Sequence, residues 1–555
     1  MRLTLLLPIL ISSYAGLFDN LGAKIKTVFS GEGGLTERLK KALNVSSVLS
    51  IHERFEKLKA KIRKTIELSP EMLRSLKERL KKNRIQSAGD SISEINANSG
   101  IGKVLFQSDI VLTENQAEEI SEEIEEESTG NRTKRQAFVD KWYPRRIWSE
   151  GVDYYFDPSS SEKMRNAFIK GAKAWEENTC IDFRERETDG DRLYVFPEDG
   201  CWSLVGRRGG KQSLSLGTGC ESVGTAAHEI GHTLGLFHTM SRYDRDDYIT
   251  VNAENVKHDW LDQFTKETMS TNNNFGLDYD CGSIMHYGGT SASRNSKPTM
   301  VPFDINYQET LGSEMISFID LSLVNEYYGC KEKCNPEKSA NCGNGGFPHP
   351  RDCNRCICPG GYGGRLCTER PPGCGEVIQA KREWGSLTDV LGYGTKSRDD
   401  YSKCNYWIQS PRGTHIEVKL VSFDAGKGLA VDGCYFAGVE IKTIEDQTLT
   451  GYRFCAPEDA GLTLTSHSNL VPIITYNRAW ETETTLEFRY VAGPGPRNPR
   501  PVPKQQPKPI IPKPKVSTSC EDHKECPKLI SLGFCSEDRP RELRQKMCPV
   551  SCGLC

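Results

Sequence analysis

The segment His228-Glu229-Ile230-Gly231-His232-Thr233-Leu234-Gly235-Leu236-Phe237-His238 holds three imidazoles and one carboxylate within eleven residues. Residues four apart project from one face of a helix, so His228 and His232 can reach a single metal ion. Gly235 can adopt the left-handed conformation that ends a helix and turns the chain back, which brings His238 up as a third ligand. Three neutral imidazoles suit one Zn²⁺ and leave a position open for water, whose pKa the ion lowers to roughly 7. Glu229, beside the first ligand, is placed to take that water's proton and pass it to a leaving amine. Paired histidines on a surface helix are common by chance; the longer form with the glycine and the third histidine is rare.

Such ligands need a helix and a sheet to hold them, and the surrounding sequence supplies both. Val152 to Phe156 alternates like a strand, and Ser161 to Asn178 carries Met164, Phe168, Ala172 and Trp175 at helical spacing, an amphipathic helix for a sheet to pack on. Leu193 to Phe196 and Ser213 to Leu216 read as strands, and Val223 to Phe237 as the helix that carries the ligands.

The chain has 555 residues, a length for three or four units. Its net charge of −3 argues against a general nucleic-acid binder, and no apolar run is long enough for a membrane span. All 21 cysteines lie between Cys180 and Cys555, clustered as in secreted disulfide scaffolds. Arg2, the apolar stretch Leu3 to Ile11 and Ser13-Tyr14-Ala15 read as a signal peptide over residues 1–15, which predicts a secreted, extracellular protein.

Residues 16–135 read as a detachable leader, or propeptide. Phe55, Leu58, Ile62 and Ile66 form one helical stripe. Ser69-Pro70 then caps a second helix with Met72, Leu73, Leu76 and Leu80 inward. Seven glutamates between Glu118 and Glu127 predict a solvated, poorly ordered run. The leader ends at Arg132-Thr133-Lys134-Arg135, where a furin-like convertase would cut after Arg135. Asn44 and Asn131 head N-x-S/T glycosylation sequons within the part to be discarded.

The eleven-residue pattern resembles the metzincin metalloproteases, and its neighbours narrow the resemblance to the astacin family. Arg242-Tyr243-Asp244-Arg245-Asp246-Asp247-Tyr248 follows the third histidine; Cys201 to Gly210 and Leu214 to Cys220 precede the helix; and Ser283-Ile284-Met285-His286-Tyr287 stands at the family's Met-turn. The resemblance covers residues 136–330. It implies a two-lobed α+β protease domain with a sheet above the zinc helix and an upper strand edge that pairs with an extended peptide. It implies zinc on His228, His232 and His238, Glu229 as base, Met285 as the floor beneath the metal, and Tyr287 as a ligand that swings to the developing oxyanion. It also implies bridges Cys180–Cys330 and Cys201–Cys220. Phe106-Gln107-Ser108-Asp109 is similar to the family's propeptide motif F-x-G-D, so Asp109 is expected to occupy the zinc's open position in a silent zymogen, with Ser108 where glycine is usual. Thr239 stands where the family has a glutamate that tethers the new N-terminus. Cleavage after Arg135 leaves Gln136 first, a residue that can cyclise and lose its charge, so no terminal salt bridge is expected.

Three stapled or β-rich modules follow. Residues 331–368, with Cys334, Cys342, Cys353, Cys356, Cys358 and Cys367, resemble an EGF-like module. Residues 374–491 resemble a CUB β-sandwich with bridges Cys374–Cys404 and Cys434–Cys455; Ala437 stands where calcium-binding members carry an aspartate. Residues 492–519 are a Pro/Lys-rich linker. Residues 520–555 resemble a small disulfide-rich ShKT module, implying Cys520–Cys555, Cys526–Cys548 and Cys535–Cys552, with Glu542 and Leu543 in place of a channel-blocking Lys-Tyr pair. Cys281 is left over, either a buried thiol or one end of an intermolecular bridge. The expected function is a secreted zinc metalloendopeptidase acting on extended extracellular peptides or proteins, of matrix or cuticle for example. Its CUB, EGF-like and ShKT modules would bind extracellular proteins or glycans. The alternative is a matrix or adhesion protein with a vestigial protease domain.

Overall fold

The computed structural model describes residues 45–81, 91–129, 146–267, 272–424 and 429–493, with scattered residues between 522 and 554. The chain divides into two compact units, Met1–Pro499 and Arg500–Cys555. The expected signal peptide, Asn44, Asn131, Arg135, Gln136, Cys520, Cys555 and nearly all of the linker lie outside the described residues.

In the N-terminal segment, α1 (Val45–Thr65) buries Ile51, Phe55, Leu58 and Ile62, and α2 (Pro70–Leu80) begins where Ser69 Oγ accepts from Met72 N at 3.2 Å. Of the four residues expected inward on α2, Leu76 is buried and Met72, Leu73 and Leu80 are half-buried, because that helix lies at the edge of the fold. A short helix α3 (Ile92–Asn98), held by a Ser91/Glu94 capping box, and the two-residue strand β1 (Ile110–Val111) follow. The glutamate run is a correction: it forms helix α4 (Glu114–Thr129). Ala117, Ile120 and Ile124 make an apolar stripe that packs with Phe55, Leu58 and Ile62 of α1, while Glu118 and Glu122 face solvent. Seven charges concealed three apolar residues at helical spacing.

The central module sets strands β2 (Val152–Phe156), β3 (Phe183–Glu185), β4 (Arg192–Phe196), β5 (Cys201–Leu204) and β6 (Lys211–Leu216) in one sheet, completed by β1 of the N-terminal segment in the order β1-β5-β6-β4-β2-β3. Strand β5 runs antiparallel to β6, and the other pairings are parallel. Between β2 and β3, α5 (Glu162–Glu176) buries all four residues of its expected stripe. It packs on α6 (Val223–Thr233), where the Trp175 indole donates to Ala227 O at 2.9 Å; Gly171 permits the approach, since a Cβ there would lie 2.9 Å from Ala227 N. Helix α6 ends at Thr233, short of the expected Phe237. The lower lobe holds the small hairpin β7 (Ile249–Val251) and β8 (Met300–Pro302), and α7 (Phe318–Tyr327), capped reciprocally by Ser317 and Asp320. Cys180 is bonded to Cys330 and Cys201 to Cys220.

Next comes a stapled hairpin, β9 (Phe347–His349) with β10 (Asp352–Ile357), carrying disulfides Cys334–Cys353, Cys342–Cys356 and Cys358–Cys367. A β-sandwich follows, built from β11 (Val377–Gln379), β12 (Gly385–Gln409), β13 (Thr414–Asp424), β14 (Ala437–Ile441), β15 (Tyr452–Phe454), β16 (Thr463–Thr465) and β17 (Leu470–Ala492). Register breaks between Gly392 and Ser402 divide the long β12–β17 ladder into two halves. One half continues into β13 and the other half of β17 into β14, so two layers enclose a core with Ile408, Val418, Val439, Ile473 and Phe488. Cys374–Cys404 and Cys434–Cys455 brace it. In the second unit, Cys526–Cys548 and Cys535–Cys552 are bonded around the short α8 (Cys526–Ile530). Cys281 is a buried free thiol.

Candidate active site

Helix α6 is buried from Gly224 to Thr233, so its imidazoles sit away from bulk water. Gly235 takes φ +106° immediately after it, and a Cβ there would lie 2.8 Å from the Tyr327 ring; the chain reverses and carries His238 back beneath the helix. The outer nitrogen of each ring is fixed: His228 Nδ1 to Ile284 O at 2.7 Å, His232 Nδ1 to Leu236 O at 2.8 Å, and His238 Nδ1 to the Gln107 side-chain oxygen at 2.8 Å. Each of these acceptors takes an Nδ1–H, which turns three Nε2 lone pairs toward one point. Burial pushes His238 down to about 3 and also lowers His232, so these rings stay neutral and their lone pairs remain available.

Asp109, from the expected leader, closes the cluster. Its Oδ2 lies 3.2 Å from both His228 Nε2 and His238 Nε2, and its Oδ1 lies 3.5 Å from His232 Nε2. His228 Nε2 and His238 Nε2 are 3.3 Å apart. Bonds of about 2.0–2.1 Å to one tetrahedral ion would separate its donor atoms by roughly 3.3–3.4 Å. Asp109 Oδ1 and His232 Nε2 are buried without hydrogen-bond partners, which leaves both aimed at the common centre. Three imidazoles and a carboxylate at this spacing fit a single Zn²⁺.

The residues flanking Asp109 hold the same point with neighbouring groups. Tyr287 donates its phenol to Asp109 Oδ2 and lies 2.9 Å from both Gln107 O and Ser108 Oγ. Gln107 and Ser108 have φ of +48° and +73°, so the bend where glycine is usual is left-handed, and serine adopts it at a cost in strain. The Ser108 hydroxyl contact with Tyr287 offsets part of that cost. Strand β1 meanwhile pairs parallel with β5, Ile110 opposite Ser203, covering the strand edge expected to receive substrate.

Glu229 is wholly buried and neither carboxylate oxygen has a hydrogen-bond partner. Burial, reinforced by the charge of Asp109, holds its carboxyl well above the usual range. Met285 packs beneath α6, where a Cβ on Gly231 would fall 2.6 Å from its sulfur; the glycine inside the histidine motif is therefore a steric requirement. Thr239 donates to Ser283 Oγ at 2.8 Å.

Several supporting residues escape a reading by motif. Asp320 accepts from Ile284 N and Ser317 N, each at 2.8 Å, tying the Met-turn to α7; the signal was the Ser317/Asp320 pair opening an apolar run. His286 bridges Tyr279 OH and Tyr287 O at 2.6 Å each and so orients the backbone of Tyr287. Gln107, in the variable position of its motif, carried no signal. Arg242 and Arg245 prove to be loop braces: Arg242 grips Asp244 through two nitrogens, and Arg245 donates to Met240 O and Phe264 O.

Residues 140–329 match the astacin peptidase family, and residues 519–555 match the ShK domain-like family. The chain is 47% identical over 413 residues to the zinc metalloproteinase nas-31 of Caenorhabditis elegans, covering 74% of this chain and 67% of that one. It is 34% identical to nas-25 of the same organism, covering 66% of this chain and 92% of the relative, and 32% identical to nas-36 of Brugia malayi, covering 71% of each. Among solved structures it is similar to high choriolytic enzyme 1, a hatching enzyme zinc-protease of medaka (Oryzias latipes), at 30% identity and TM-score 0.32, over 34% of this chain and 98% of the other. With the zinc-ligand geometry and the relatedness in sequence together, the chain belongs to the astacin family of zinc metalloproteinases.

Proposed function

We propose that this protein is a secreted zinc endopeptidase synthesised as a latent precursor, in which Asp109 holds the metal's fourth position until the leader is cut after Arg135 by a furin-like convertase. The observation that carries the reading is the leader carboxylate lodged among three converging imidazole nitrogens. The nine disulfides among the described residues favour an oxidising, extracellular destination, where Asn44 and Asn131 would carry glycans. No described helix is long and apolar enough to cross a membrane.

When bound, zinc supplies Lewis acidity and ionises water near neutral pH. His228, His232 and His238 hold it through Nε2, their rings fixed from behind. With the leader gone, the exposed edge of β5 aligns an extended peptide by backbone hydrogen bonds. Glu229 takes the proton of the attacking water on a carboxylate oxygen and delivers it to the leaving amine nitrogen. Tyr287, released from Asp109, donates its phenol hydrogen to the developing oxyanion on the scissile carbonyl. The complete set of base, ligands and phenol favours catalysis over a vestigial domain. Incubating the processed chain and its Glu229→Ala variant with a peptide library tests this: cleavage by the first alone supports the reading, and equal cleavage by both refutes it.

A further inference from the structure

A cleft opens beside the histidine cluster and reaches His228 and Tyr287. Three parts of the chain line it. The catalytic module contributes Glu314, the leader places Ile92 and Glu94 there, and the CUB sandwich contributes Asp432 and Tyr435. A non-catalytic module thus forms a wall of the space next to the metal ligands.

That wall is fixed in place. A Cβ on Gly433 would fall 1.9 Å from Gly312 O, and one on Gly288 would fall 2.8 Å from the Asp432 side chain, so the two modules meet almost backbone to backbone. Asp432 accepts from Thr290 N at 2.7 Å, Thr450 Oγ1 donates to Asp280 Oδ2 at 3.0 Å, Tyr452 OH to Asp304 Oδ2 at 2.6 Å, and Arg453 to Ser313 Oγ at 2.7 Å. Arg478 of the sandwich pairs with Glu314 at 2.8 Å and fixes its direction. Most of these contacts are buried, where an unmade hydrogen bond is costly, so the sandwich does not swing freely over the cleft.

A peptide already enters this space: the leader itself, carrying an acidic residue, Glu94, toward Asp432. Once the leader is released, two carboxylates remain on the walls and no lysine or arginine lines the cavity. Among the described residues no basic side chain pairs with Asp432, whereas Arg478 lies behind Glu314 and packs on the Tyr435 and Phe436 rings. Resting on the peptidase reading above, we propose that Glu314 and Asp432, with the Tyr435 ring as an apolar wall, form a subsite for an arginine or lysine side chain of the substrate near the scissile bond. The carboxylates would receive the charged head and the tyrosine would line the aliphatic stem. The acidic leader segment is then a poor occupant once cut, which aids its departure.

The test is cleavage-site profiling of a peptide library with the full, convertase-processed chain. It is followed by kcat/KM for peptide pairs that differ by lysine against glutamine at the selected position. The wild type should enrich arginine and lysine at one position within about two residues of the scissile bond. Asp432→Asn with Glu314→Gln should lower the lysine-to-glutamine ratio by about tenfold or more. The ratio is taken within each variant, so a general loss of activity cancels. Asp432→Asn alone, which keeps an acceptor for Thr290 N, serves if the double variant does not fold. A wild type that cleaves without basic preference, or a preference unchanged in the variants, overturns the subsite. A processed wild type that cleaves nothing overturns the peptidase reading beneath it.

Discussion

Replacing Asp109 by alanine in an Arg135→Ala background isolates the proposed latency switch, because the second change removes the proposed convertase site. Asp109 is fully buried and its Oδ2 touches two imidazole nitrogens at 3.2 Å and the Tyr287 phenol. Removing one partner of a buried charged cluster costs roughly 3–5 kcal/mol. That loss falls on the closed form of the leader alone, so the open fraction should rise by about two to four powers of ten. Full activity is not expected, since β1 still pairs with β5 and α1 and α4 still form their apolar cluster with Phe106, Ile110 and Val205. The assay is hydrolysis of a quenched fluorescent peptide by the uncut single and double variants, with gel analysis to exclude processing. An uncut double variant as silent as Arg135→Ala alone would refute the reasoning.

Other perturbations address separate parts of the site. Glu229→Ala should lower kcat/KM about 10²–10⁴-fold while one zinc per chain is retained, measured by peptide hydrolysis beside metal analysis. Tyr287→Phe in the processed chain should reduce kcat by about 10²–10³-fold with little change in KM, because the phenol acts on the oxyanion alone. Gly231→Ala, whose Cβ would meet the Met285 sulfur at 2.6 Å, should cost about 1–3 kcal/mol and lower Tm. The leader's hold also depends on pH. Burial pushes the Asp262 carboxyl up to about 7, with Lys59 and Glu56 of α1 near it. A carboxyl raised in the closed form opposes closure once ionised; that penalty grows from the ordinary carboxylate range and is complete above about pH 7. Asp262→Asn should therefore tighten leader binding more at about pH 8 than at about pH 5, by roughly 2–3 kcal/mol, read by inhibition of the mature enzyme with separately produced leader. A variant that binds more weakly at the higher pH would contradict the assignment.

The elements that carry the chemistry were legible because local pattern and tertiary role agree there. Met164, Phe168, Ala172 and Trp175 marked α5, and the spacing of His228, His232, Gly235 and His238 foretold a helix, a left-handed exit and a third ligand. The glutamate run was misread because charge was weighed over period; Ile120 and Ile124 sit at core spacing within it. Contacts across long sequence gaps left no local trace. Gln107 supports His238 from 131 residues away, and Asp432 meets Thr290 across 142. Neither residue differs in type from an ordinary polar surface residue, and only the packing of the modules gives them a role. Ser108 could be flagged as a departure from glycine, yet its partnership with Tyr287 depends on a fold that the motif does not encode.

X-ray absorption and metal analysis of the uncut full-length chain, purified without chelators, bear most directly on the central claim. The account requires one zinc per chain with three imidazole nitrogens and one carboxylate oxygen, the oxygen contribution changing in Asp109→Ala. Folded protein without stoichiometric zinc, or zinc bound without imidazole, would contradict it.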